Sequence, residues 1–196
     1  MIVSFGTARP LIRESEVQMY VQIEVYTTDY VITGYLSSPD ERLSDVLNFK
    51  TDVSMVLTDV RAARLLDMGK NPPERFVDAR IEKRSIVFAC PIEPDITQKS
   101  IFRRAVRRPF DVTVHVPGFK LEGMIHLTES LEVRRVLVGR QDDFIALTNA
   151  TATYALYPAL TFQRDTVVFN KTLASFIGKP VPVPAPSAME SAQEPS

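Results

Sequence analysis

The segment Tyr20–Leu36 (YVQIEVYTTDYVITGYL) recurs as Pro109–Ile125 (PFDVTVHVPGFKLEGMI), 89 residues further along the chain. After a one-residue slip, two further pairs of segments align, namely Val46–Ala62 with Val136–Ala152, and Lys83–Phe88 with Arg164–Phe169. Repetition at a nearly fixed spacing indicates a duplicated structural unit. The sequence therefore predicts two tandem units, the first over residues 1–90 and the second over residues 91–177.

Each copy of this segment predicts a β-hairpin, because apolar and polar residues alternate on both sides of a turn. In the second copy Pro117-Gly118 suits the turn, since glycine tolerates positive φ. Pairing about this turn places Val114 opposite Leu121 and Val112 opposite Gly123. The residues expected on the inward face are Val112, Val114, Leu121 and Ile125 in the second copy, and Val21, Ile23, Val25, Ile32 and Leu36 in the first. The opposite face, which carries Glu24 and Thr113, is expected to face water.

The segments around the hairpins predict short helices and further strands. Ser38–Glu41 forms a capping box ahead of Leu43, Val46 and Leu47, which predicts a helix of one or two turns. The other predicted elements are a weaker helix around Leu131–Leu137, helix-like stretches at Leu11–Gln18 and Gln98–Val106, and strands at Ser54–Ala62 and Phe144–Tyr154. The predicted fold class is mainly β with short helices, followed by a disordered Pro/Ala/Ser-rich tail over residues 178–196.

The glycine-bearing strands, I-x-G-x-L (Ile32, Gly34, Leu36) and L-x-G-x-I (Leu121, Gly123, Ile125), resemble the Sm-like family of small five-stranded barrels. The resemblance spans roughly residues 10–90 and 98–177. It implies two tandem Sm-like, or SH3-like, small barrels related by internal duplication. The basic-glycine pair with which Sm proteins bind RNA is not matched, since Phe88-Ala89-Cys90 and Phe169-Asn170-Lys171 stand in its place. The segments RLSDVLN and LTDV also resemble an uncharacterised bacterial domain family, which implies a bacterial source.

The composition is typical of a soluble globular protein. Hydrophobic residues make up 45% and charged residues 24% of the chain, and the net charge is -1, so no general attraction to nucleic acid or anionic membranes is expected. A single cysteine, Cys90, excludes an internal disulfide and favours a reducing, cytoplasmic location. No stretch approaches the ~18 apolar residues that predict a membrane span.

Two groups of basic residues are the candidate sites for an anion or nucleic acid. They comprise Lys99, Arg103, Arg104, Arg107 and Arg108 ahead of the second hairpin, and Arg134, Arg135 and Arg140 in the second copy. Guanidinium groups on one helix face suit phosphate or carboxylate. A solvated helix surface, or pairing with acidic residues of the neighbouring unit, is the favoured interpretation, and RNA binding is the alternative.

Catalytic motifs are not found in the sequence. The predicted pairing separates His115 from His126, and neither is linked to a nucleophile or a set of metal ligands. Asp59 and Asn149 follow threonines at equivalent strand positions. Strand-end hydrogen bonding is the favoured explanation for them, and a binding feature paired across the two copies is the alternative. We therefore expect a protein that is not an enzyme and has no cofactor, metal or small-molecule substrate. The expected function is non-catalytic binding or assembly, with further copies of itself or with another protein.

Overall fold

The computed structural model describes residues 20–37, 41–67, 71–92, 107–127 and 141–181. These residues are mainly β, as predicted. The strands are β1 (Tyr20–Tyr26), β2 (Tyr30–Ser37), β3 (Ser54–Arg64), β4 (Glu74–Glu82), β5 (Phe88–Pro91), β6 (Arg108–Val116), β7 (Phe119–Leu127), β8 (Phe144–Tyr154), β9 (Thr161–Asn170) and β10 (Phe176–Gly178), and the helix α1 (Leu43–Asn48) lies between β2 and β3. None of the helices in these ranges is long and apolar enough to cross a membrane.

All ten strands belong to one antiparallel sheet in the order β10-β6-β7-β8-β9-β5-β1-β2-β3-β4. The strands of the first half follow the order β5-β1-β2-β3-β4, and those of the second half follow the matching order β10-β6-β7-β8-β9. Pairing between β5 and β9 joins the halves. Within the described ranges the sheet is open, with β4 and β10 at its edges, so the expectation of two tandem small barrels is not confirmed. Each half instead extends the sheet of the other, because β5 and β9 each offer a side that strands of their own half leave unpaired.

The predicted hairpin register is confirmed in the second half. Val114 lies opposite Leu121 and Val112 lies opposite Gly123, and Gly118 in the turn has a φ of 75°. The register of β7 against β8 shifts next to Gly123, where a Cβ atom would lie 3.1 Å from both the Thr148 carbonyl oxygen and the Ala150 Cα. Glycine is therefore required here by the close approach of β8.

The short helix is present but begins later than the capping box predicted. It runs from Leu43, its N-cap residue Arg42 makes no side-chain capping bond, and residues 38–40 lie outside the described ranges. At its other end the carbonyls of Val46 and Phe49 accept hydrogen bonds of 2.7 and 2.9 Å from the Lys83 Nζ. Burial lowers the pKa of Lys83, and these bonds satisfy both the buried amine and the end of the helix.

The alignment of Lys83–Phe88 with Arg164–Phe169 is wrong. Lys83–Ser85 is a 3-10 turn that follows β4, whereas Arg164–Phe169 lies within β9. The counterpart of β9 is β4, since each pairs with the preceding long strand of its own half. Sequence analysis missed β4 because its residues (ERFVDARIE) are largely charged and exposed, which hides the apolar alternation of a strand.

The core is divided between the halves. The first-half core includes Ile23, Val25 and Leu57, and the second-half core includes Val114, Leu121 and Phe119. The predicted inward residues of β6 and β7 are all buried. The second-half core also takes in Tyr26, Phe88 and Cys90 from β1 and β5 of the first half. The face of β1 expected to meet water therefore packs, in part, on the other half.

Several predicted elements cannot be compared with the structure. The helices predicted at Leu11–Gln18, Gln98–Val106 and Leu131–Leu137 and the part of the tail from residue 182 onward lie outside the described ranges.

Candidate functional site

The junction between the halves is built on backbone pairing of β5 with β9. Phe88 lies opposite Phe169, and Ala89 lies opposite Val168. The pairing is extended by Asn170, whose backbone N–H donates to the Val87 carbonyl at 2.9 Å. The buried Asn170 side-chain amide also donates to the Ile86 carbonyl at 3.2 Å. An edge of each half is thus satisfied by the other.

Aromatic rings cover this junction. Tyr26 stacks on Phe88 with ring centroids 4.3 Å apart and planes 13° from parallel. Phe119 of the second half meets both rings edge-on, at 5.5 Å from Tyr26 and 4.9 Å from Phe88. Phe162 stacks on the same tyrosine at 5.4 Å. Such contacts add stabilisation beyond the burial of apolar area.

A polar cluster lies beside these rings. The Glu24 carboxylate pairs with the Arg164 guanidinium at 2.7 Å across the two halves, and the Tyr26 hydroxyl donates to the same carboxylate oxygen at 3.3 Å. The Cys90 Sγ donates to it at 3.7 Å. Burial, followed by the negative charge of Glu24, raises the pKa of the Cys90 thiol to about 12, and the same two causes raise the pKa of Tyr26. Both groups are therefore neutral donors at neutral pH, and this cysteine is not an activated nucleophile.

A second tie between the halves involves the helix. The Asn48 side-chain amide donates to the Phe144 carbonyl at 2.8 Å, and its carbonyl oxygen accepts the Phe144 N–H at 2.9 Å. The Asn48 side chain thus satisfies both backbone groups of Phe144 at the start of β8, as a residue of a neighbouring strand would.

The edge at β10 repeats the arrangement of the internal junction. His115 lies opposite Phe176 as Tyr26 lies opposite Phe88, and the His115 ring stacks on Phe176 at 4.2 Å with planes 20° from parallel. The residue before each phenylalanine makes the same backbone hydrogen bond. The Val87 N–H donates to the Tyr26 backbone carbonyl, and the Ser175 N–H donates to the His115 backbone carbonyl, both at 2.8 Å. Phe176 is 53% exposed, however, whereas Phe88 is fully buried.

The edge at β4 exposes apolar side chains of the first half. Phe76 is 45% exposed and Val77 is 87% exposed. Phe76 lies opposite the buried Val60, in the position that Arg164 takes opposite Ala150. This phenylalanine therefore faces the core side of the sheet at a point where no described residue covers it fully.

The residues predicted to bind an anion are mostly outside the described ranges. These are Lys99, Arg103, Arg104, Arg134, Arg135 and Arg140. Arg107 and Arg108 are described and exposed, at the start of β6. The predicted basic site therefore stays a prediction.

The other residues considered from sequence lie within strands of the sheet. His115 lies opposite Lys120, and the His126 Nε2 lies 2.8 Å from the Thr148 Oγ1. Asp59 and Asn149 have φ values of 46° and 48° and lie inside β3 and β8, so their predicted place at strand ends is corrected. Across the described ranges, no group of three histidine, cysteine or acidic side chains could hold a metal ion.

A shallow concavity of about 290 Å³ lies on the outer face of the second half. Its polar lining consists of two carboxylates, one amide and two threonine hydroxyls, from Asp111, Glu122, Asn149, Thr113 and Thr151. This lining includes neither a nucleophilic thiol nor a general base of the imidazole type.

Sequence analysis missed the Glu24–Arg164 pair, a largely enclosed ion pair that crosses the junction. The one signal in the sequence is that the copies differ here, since Thr113 and Phe76 stand at the corresponding positions.

Comparison of the chain with protein-family models, with curated proteins and with solved structures gave no match.

Proposed function

We propose that this chain is a non-catalytic assembly scaffold, built from two Sm-like units joined in one open sheet, that associates through the edges of that sheet. The observation that carries the proposal is that β4 and β10 end the ten-stranded order, whereas the corresponding strands β9 and β5 pair with each other inside the chain. An open edge presents unpaired backbone donors and acceptors, which strand addition can satisfy.

Several repeated details support two related units. Besides the matching strand order, the two hairpin turns accept equivalent backbone hydrogen bonds. The Leu65 N–H donates to the Asp29 backbone carbonyl and the Ala155 N–H donates to the Gly118 carbonyl, both at 2.8 Å. The left-handed residue of each long strand also falls at the same place, with Asp59 in β3 and Asn149 in β8. The buried Cys90 thiol is compatible with the cytoplasmic, bacterial setting that we propose for the scaffold.

The role of the edge is tested with a proline in β4. Asn170 of β9 directs its N–H toward β5, so the corresponding Glu82 and its alternate neighbour Arg80 direct theirs away from β3. Arg80→Pro removes one outward donor and spares the pairing with β3. Arg80→Ala is the matched control, because it removes the same charge and keeps the N–H.

Sedimentation of the full chain measures the result. We expect assemblies of more than one chain for the parent protein and the alanine variant, and a shift toward the monomer for the proline variant. A protein that stays monomeric at all concentrations, or assembly that the proline leaves unchanged, would refute edge association.

A further inference from the structure

We infer that the occupant of the free edges is a second copy of this chain, docked head to tail, with β10 of one copy on β4 of the next. This inference rests on the proposed function and names its partner. The same kind of contact already exists inside the chain. In the strand order, β5 corresponds to β10 and β9 corresponds to β4, and β5 pairs with β9.

The internal junction fixes the register between copies. Phe176 and Ile177 of β10 correspond to Phe88 and Ala89 of β5, because they lie opposite equivalent residues of β6 and β1. Pairing in the same register places Phe176 opposite Ile81 of the second copy and Ile177 opposite Arg80, as Phe88 lies opposite Phe169 and Ala89 opposite Val168.

Each of the two edges that this register brings together carries one exposed aromatic ring, Phe176 on β10 and Phe76 on β4. The stack of His115 on Phe176 corresponds to the stack of Tyr26 on Phe88 that covers the second-half core. The first-half core lacks a comparable cover among the described residues, and its Phe76 is 45% exposed. The free stack of one copy therefore matches the uncovered core edge of the next.

One position distinguishes the contact between copies from the internal junction. Glu24 pairs with Arg164 inside the chain, whereas the corresponding residues are Thr113 on β6 and Phe76 on β4. In the proposed register these two residues meet between copies without a charge. Introducing the internal ion pair at this point therefore tests the register itself.

The strand β4 also carries charges that restrict other partners. Arg80 and Glu82 form an exposed ion pair at 3.5 Å, and charged side chains on an edge oppose indiscriminate strand addition. A partner that offers a short strand and a stacked ring pair fits this edge better than a long apolar strand.

The experiment compares Phe76→Arg, Thr113→Glu and the variant with both changes in the full chain. Each single change places one charge in an apolar contact, and we expect each to weaken association roughly tenfold. The double variant restores an Arg–Glu pair across the copies, so we expect association to recover by a similar factor and to become sensitive to salt. Val77→Arg is the control, since it adds the same charge one residue further along, where the side chain is 87% exposed.

Association is measured by sedimentation at several concentrations, and folding of each variant by thermal melting of the dilute protein. The register is supported if both single variants associate more weakly and association recovers in the double variant. Assembly that responds to Arg80→Pro but shows no recovery would overturn the register and leave edge association standing. The register would also be overturned if Val77→Arg weakened association as much as Phe76→Arg does.

Discussion

Truncation of Phe88 to alanine is expected to destabilise the protein strongly, because this ring belongs to a strand of one half and to the core of the other. Its side chain is fully buried, it stacks on Tyr26 at 4.3 Å, and it meets Phe119 edge-on at 4.9 Å. Removing a buried phenylalanine costs about 3–5 kcal/mol through lost burial and the remaining cavity. We expect a loss near the middle of this range, about 4 kcal/mol, which is a large part of the stability of an ordinary domain.

Phe176→Ala provides the matched control. This ring makes the corresponding stack on His115 at 4.2 Å, but it is 53% exposed, so in the monomer its removal is expected to cost about 1 kcal/mol or less. The comparison therefore separates the stacking of two rings from burial between the halves.

Urea unfolding of the dilute protein, followed by circular dichroism, measures both variants. For a denaturant dependence of about 2 kcal/mol per molar urea, Phe88→Ala lowers the midpoint by about 2 M and the control lowers it by about 0.5 M or less. Equal losses for the two variants would show that the rings act locally, and that the packing of β5 on the second half contributes little to stability.

Three further predictions concern titration, close packing and nucleic acid. Because the pKa of Cys90 is raised from 9.0 to about 12 in the folded protein, its contribution to the free energy of unfolding is complete below pH 9 and is lost as the pH rises toward 12. Urea titrations should show a smaller alkaline loss in Cys90→Ala, and an identical loss would contradict the assignment. Gly123→Ala should cost about 1–3 kcal/mol, since the new Cβ would lie 3.1 Å from backbone atoms of β8. A Cβ added at Gly178 would meet no described residue within 4 Å other than its chain neighbours, so Gly178→Ala should change thermal stability by less than about 0.5 kcal/mol. If the residues of Arg103–Arg108 bind RNA, gel shifts should weaken steeply with salt, and no retardation at low salt would exclude that alternative.

The parts of the fold that sequence could predict are those set by neighbouring residues. Alternation of period two and the Pro117-Gly118 turn were sufficient to predict which residues of β6 and β7 face each other. The close approach of β8 to Gly123 was also predictable, because a glycine inside a strand often marks such an approach.

The parts that could not be predicted depend on contacts between distant segments. Glu24 has the polar character of a water-facing residue in its own hairpin, and only the approach of β9 encloses it beside Arg164. The strand β4 was missed for the converse reason, because an edge strand without a covering partner carries exposed, charged residues and shows little apolar periodicity. The candidate site at the sheet edges consequently emerged only from the topology.

The contrast between β9 and β4 explains which of two strands with corresponding places in the strand order lies inside the sheet and which lies at its edge. Val167, Val168 and Phe169 of β9 are all buried, as in a strand covered on both faces. In β4 the residue corresponding to Val168 is Arg80, whose side chain is 64% exposed. Leaving a strand with this charge at an edge costs less free energy than leaving an apolar strand there. Pairing of a further strand with it is also less favourable, because the charged side chain would lose contact with water. We therefore expect the contact between copies to be weaker than the β5–β9 junction, so that assembly is reversible and depends on protein concentration.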